Sequence, residues 1–176
     1  HLAGLDDVRA FNFFTKKHID IYADSLTEEA VRRDFYYAFT DTKYPGIPEL
    51  NLHTISDEPV VVGDIPIIPV QVWHLKMPVL GFRFGKLTYI TDANRIDEAE
   101  KDKIRNSEVL VLNALRKQKH ISHFTLDEAI EMAAEVKAGT AYFTHLSHQM
   151  GKHGEIEAEL PDNIHLAYDG LELMFT

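Results

Sequence analysis

The chain has 176 residues, of which 45% are hydrophobic and 26% charged, with a formal net charge of -10 and no cysteine. These values suit one globular domain over residues 1–176 and exclude disordered and fibrous classes. The acidic balance, without any stripe of Lys and Arg, argues against a nucleic-acid surface, and the missing thiols exclude disulfides, Cys-zinc sites and a cysteine nucleophile within these residues.

No apolar run approaches the ~18 residues of a membrane span, and no signal-peptide pattern opens the chain, so a soluble, cytoplasmic protein is the expectation. Ten histidines against four methionines direct attention to imidazole, the commonest metal ligand near neutral pH. The chain starts at His1 rather than Met, and His1-Leu2-Ala3-Gly4-Leu5-Asp6-Asp7 reads like the inside of a motif. Further residues are expected upstream.

In chain order, residues 2–12 suit a turn and a short helix. Residues 19–23 alternate polar and apolar side chains and predict a strand, after which Ser25 as N-cap with Glu28 predicts a capping box opening a helix to about residue 38. Pro45, Gly46 and Pro48 mark a loop. Strands are then predicted at 49–56, 60–62, 65–72, 79–84 and 87–91. Gly63-Asp64 and Gly85-Lys86 stand at the turns, which makes an antiparallel meander. After Asp92 the pattern changes to a polar helix at 97–105, a buried strand at 108–113 and an amphipathic helix at 126–136 capped by Thr125 and Glu128. A strand at 141–144, a helix at 149–158 and a closing hairpin of 164–167 with 171–175 about Asp169-Gly170 complete the chain. Strands in a meander, then alternating with helices, predict an α+β or layered αββα architecture.

Polar groups recur where those strands end. His74 follows the third strand of the meander, Asp92 the last, His123 the buried strand after a loop, and His145 the 141–144 strand, with His148 three residues on. Neutral imidazole and carboxylate suit Zn, Mn or Fe(II), and without thiols the site would be open and catalytic in type. His18, His53, His120, His153 and His165 have polar neighbours and are expected at the surface.

The order of these residues resembles the metallo-β-lactamase superfamily, in particular its phosphodiesterase branch near phosphoribosyl 1,2-cyclic phosphate phosphodiesterase, with tRNA 3'-end endonucleases more distant. His1 with Gly4-Leu5-Asp6-Asp7 is similar to the last histidine of the family's His-x-His-x-Asp-His motif and its continuation. Val72-Trp73-His74, Tyr89-Ile90-Thr91-Asp92, Ser122-His123-Phe124-Thr125 and Thr144-His145-Leu146-Ser147-His148 resemble its later motifs.

The resemblance implies a four-layer αββα sandwich, incomplete at its N-terminus, and two divalent ions, Zn or Mn. His1, His145 and Asp92 would hold one ion, and His74 with the bridging Asp92 the other, beside histidines that this chain lacks. His148 would join upstream cysteines in a separate structural zinc site. His123 would contact the phosphate or protonate the leaving oxygen. The implied function is hydrolysis of a small cyclic phosphate or nucleotide-like phosphodiester by metal-activated hydroxide, in a protein whose assembly could be a homodimer. The alternatives are another hydrolase of the same fold, acting on a thioester, lactone or RNA 3'-end, and a metal-free module. With part of the ligand set missing, the chain alone is expected to be inactive.

Overall fold

The computed structural model describes residues 2–41 and 46–174. His1, Pro45 and Phe175 lie outside them. The chain divides into two compact units, His1–Ser56 and Asp57–Thr176.

The first unit opens with a 3-10 turn, Ala3–Val8, that runs into α1, Arg9–Thr15. β1 (Ile19–Ala23) and β2 (Leu50–Thr54) follow, and they pair in parallel. This corrects the expectation that residues 49–56 begin the antiparallel meander. A parallel pair needs a crossover between its strands, and α2 (Ser25–Asp34) supplies one. The cap of α2 is also corrected, from Ser25 to Asp24, whose carboxylate accepts the Thr27 N–H at 2.7 Å. An acidic cap satisfies an orphan donor and complements the helix dipole at once. Glu28 turns instead to Arg32, which donates to it at 2.9 Å. The helix ends at Asp34 and gives way to a 3-10 turn, Tyr36–Phe39, because the aromatic run has its own anchors: the Tyr37 hydroxyl donates to Asp6 at 2.6 Å.

The second unit carries the meander as predicted: β3 (Val60–Val62), β4 (Ile65–His74), β5 (Met77–Phe84) and β6 (Leu87–Ile90), each antiparallel to the next. β7 (Arg95–Ile96) returns to pair with β4. Then come α3 (Glu98–Ile104), β8 (Val109–Asn113), α4 (Leu126–Glu135), β9 (Thr140–Thr144), α5 (His153–Glu157) and β10 (Ile164–Leu166). β6, β8, β9 and β10 are mutually parallel neighbours in an eight-stranded sheet of order β10-β9-β8-β6-β5-β4-β3, with β7 off that path. The α+β class holds. The capping box of Thr125 and Glu128 is formed.

Two expectations near the C-terminus fail. α5 is shorter than 149–158 because Gly151, at φ +119°, adopts a backbone that no helix tolerates. Asp169-Gly170 does turn the chain, with Leu171 N–H donating to the Tyr168 carbonyl at 3.1 Å, yet residues 171–174 find no pairing partner and make no strand.

The core of this unit lies where α4 meets the parallel strands. Leu110, Leu112, Ala141 and Phe143 are completely buried, packed in one cluster with Ala129 and Ala133 of α4. Each buried Leu or Phe side chain there contributes about 1.5–3 kcal/mol. Gly139 admits β9 to its place beside β8, since a Cβ there would stand 2.8 Å from the Glu108 carbonyl oxygen.

Candidate metal centre

The parallel strands end in step, and that brings the site together. Ile90 pairs with Leu112 and Leu112 with Phe143, so the residues that follow leave the sheet side by side. Asp92 leaves after β6, Asn113 and Ala114 close β8, and His145 leaves after β9. β4 is two antiparallel steps from β6 and therefore runs the same way, which carries its last residue, His74, to the same edge. Such edges expose side chains from turns while the sheet holds the backbone still.

Asp92 Oδ1 is the focus of the cluster. The Nε2 atoms of His123, His74 and His145 lie 2.6, 3.4 and 3.9 Å from it. The His74 ring meets His123 edge-on at 4.9 Å between centroids, and the His145 ring stacks on His123 at 4.9 Å. His123 is the most enclosed, with 11% of its side chain exposed against 35% for His145. Burial holds His123 below the ordinary imidazole range. The Asp92 hydrogen bond and charge oppose that shift, and His145 and His74 add to it.

Three residues here have left-handed backbones without being glycine: Leu75 at φ 60°, Asp92 at 101° and His145 at 59°. Each costs about 1–3 kcal/mol and persists only where the surroundings impose it. Asn113, fully buried, imposes it on Asp92: its Oδ1 accepts the Asp92 and Ala93 N–H groups at 3.1 and 2.8 Å, and its Nδ2 donates to the Ala93 carbonyl at 2.9 Å. Asn94 does the same for His74's exit. Its Oδ1 accepts the Leu75 N–H at 2.8 Å while its Nδ2 donates to the Ile121 carbonyl at 3.3 Å. Neither asparagine stood out in the sequence; a polar residue closing a run as apolar as Val109-Leu110-Val111-Leu112 was the available signal for Asn113.

His123 arrives on the loop between β8 and α4, which is clamped from several sides. Phe124 N–H donates to the Ala93 carbonyl at 2.9 Å, Leu115 N–H to the Phe124 carbonyl at 3.0 Å, and Arg116 to the carbonyls of Gln118 and Lys119 at 3.2 and 3.0 Å. His120, expected at the surface, instead packs on His123 with its ring centroid 4.8 Å away.

Of the predicted site residues, His74, Asp92, His123 and His145 are thus brought together. His1 lies outside the described residues. His148 is exposed in the turn after His145, and among the described residues only His74, Asp92 and His123 form a group of three or more ligating side chains. Their ligand atoms lie within 4.8 Å of one another, a mixed imidazole and carboxylate set that fits a divalent Zn, Mn or Fe ion.

An in-register parallel edge carrying this cluster defines the class: a metallo-β-lactamase fold with a His/Asp group that could hold a divalent metal. The sequence matches the family described as Beta-lactamase superfamily domain over residues 1–146, and the chain belongs to that family. It is 33% identical over 98% of its length to a protein of Porphyromonas gingivalis named octanoyltransferase, of which it spans 35%. Among solved structures it is similar to a diphosphatase from the PhnP family, at 35% identity and a TM-score of 0.88 over 97% of this chain and 65% of that one. The metallo-beta-lactamase fold protein YhfI from Bacillus subtilis shares the fold at 17% identity and a TM-score of 0.76, over 97% of this chain and 71% of the other. The chain therefore spans about a third of the curated relative and just under two thirds of the diphosphatase. Among the described residues no helix is long and apolar enough to cross a membrane.

Proposed function

We propose that this chain is part of a metal-dependent hydrolase domain that cleaves a small phosphodiester, either a cyclic phosphate or a nucleotide-like ester. The observation that carries the reading is the convergence of three imidazole Nε2 atoms on Asp92 Oδ1 at one sheet edge. The likeness to a diphosphatase at 35% identity supports hydrolysis at phosphorus over the other hydrolytic classes.

In this reading His74, Asp92 and His145 are metal ligands. Divalent ions in such a site supply a water of lowered pKa and a Lewis acid for the phosphoryl oxygens. Asp92 provides the negative charge that lets two cations sit close together, and Asn113 fixes the turn from which its carboxylate projects. His123, although its Nε2 belongs to the same ligand-sized group, is assigned to the substrate rather than to the metal: it donates its Nε2–H to a phosphate oxygen, or gives that proton to the departing oxygen.

The test is metal analysis with turnover of bis(p-nitrophenyl) phosphate, beside a panel of thioesters and lactones, using the protein expressed from its complete reading frame. Bound divalent metal with phosphodiester turnover is expected. Turnover of thioesters or lactones alone would move the reading to another hydrolase of this fold, and absence of both metal and turnover would leave a binding module.

A further inference from the structure

His120 has no part in the reaction as described, yet its position is closely determined. Its Nδ1 lies 2.9 Å from the Nδ1 of His123. Two ring nitrogens at that separation share one proton, so one donates and the other accepts. Ser122 closes the same cluster: its backbone N–H reaches the His120 nitrogen at 3.4 Å, and its buried hydroxyl lies 3.0 Å from His123 Nδ1.

The loop prevents His120 from drifting away. Arg116 grips the carbonyls of Gln118 and Lys119 just before it, Lys119 is paired with Glu128, and Asn94 holds the Ile121 carbonyl just after it. An imidazole without a partner at Nδ1 can flip about Cβ–Cγ; this one has His120 and the Ser122 hydroxyl at Nδ1 and Asp92 at Nε2.

We propose that His120 is a positioning residue for His123: the hydrogen bond between their Nδ1 atoms fixes the rotation of the His123 ring, so that Nε2 is the atom that faces the reacting group. This rests on the assignment of His123 given above, and the test separates the two. In protein labelled with 15N-histidine, without metal or substrate, a through-hydrogen-bond 15N–15N coupling is expected between the two Nδ1 atoms. Its absence overturns the proposal, whether or not the protein turns over any phosphodiester.

With an active protein, His120→Phe keeps a ring but removes the hydrogen-bond partner at Nδ1. It is expected to lower kcat by about 10–100-fold with KM and bound metal unchanged. His120→Asn, which places an amide oxygen near the lost Nδ1, is expected to recover kcat to within a few-fold. Unchanged kcat in His120→Phe overturns the proposal, as does loss of metal, which would make His120 part of the metal cage. Should His120→Phe fail to fold, the coupling in the unsubstituted protein decides.

Discussion

Two histidine–aspartate pairs in this molecule look alike by distance and differ in everything else. In the first unit His53 Nε2 lies 2.8 Å from Asp20 Oδ1; in the second, His123 Nε2 lies 2.6 Å from Asp92 Oδ1. The first pair bridges two paired strands, with side chains 44% and 53% exposed, on backbones of ordinary conformation. The second stands at strand exits, with side chains 11% and 21% exposed, and two further imidazoles reach the same oxygen. An exposed ion pair is worth little, because water and salt screen it. What distinguishes a site from such a pair is the convergence of several ligands on one atom, held there by backbone that would not adopt its conformation unaided.

Removing the shared oxygen should break the contrast most completely. Asp92→Ala is expected to abolish metal retention, measured by elemental analysis after dialysis, and turnover with it. In the unsubstituted protein, metal loading should fall as the pH is lowered, since protonated histidines cannot ligate.

His123→Ala should come next, keeping its metal while turnover falls about 10²–10⁴-fold. Loss of metal in that variant would make His123 a ligand. Asn113→Ala should act more gently and through the backbone. It is expected to destabilise the fold by about 1–3 kcal/mol in denaturant titrations, by leaving buried amide groups unpaired, and to weaken metal binding by about 10–100-fold.

The smallest effect belongs to the other pair. His53→Ala should leave metal content and activity unchanged and the melting temperature within error. Asp20 is held below the usual carboxylate range, first by the hydrogen bond from His53 and then by that from Asn51. Whatever the pair contributes is therefore present above the unfolded carboxylate's value and disappears as pH falls through the lowered folded one. An NMR titration of Asp20 should show its pKa rising toward the ordinary value in His53→Ala.

The site was more legible in the sequence than the scaffold around it. His74, Asp92 and His145 could be read because each follows an apolar run, and a sheet edge collects whatever its parallel strands end in; His123 was read from its place after the buried strand and its loop. The meander was legible for the same reason, since period-2 runs separated by Gly63-Asp64 and Gly85-Lys86 admit little else. What escaped were features set by contacts distant in sequence. Asp24 displaced Ser25 as a cap through a one-residue shift that local propensity does not resolve. Residues 50–54 joined β1 in parallel because α2 carried them across. Asn113 and Asn94 acquire their roles only when segments 20 to 30 residues apart meet, as in the Asn113 to Asp92 contact at 3.1 Å and the Asn94 to Ile121 contact at 3.3 Å, while His120 meets His123 through the folding of a single loop.

The stepwise alignment of β6, β8 and β9 makes the molecule unequally tolerant of insertions and deletions. Lengthening an exposed turn such as Gly63-Asp64 leaves every exit at the sheet edge where it was. Deleting one residue between Thr140 and Thr144 reverses which side of the sheet each following side chain faces, turning His145 from its neighbours and Phe143 out of the core. Lineages descended from this fold can therefore reshape their peripheral loops freely while counting these three strands to the residue.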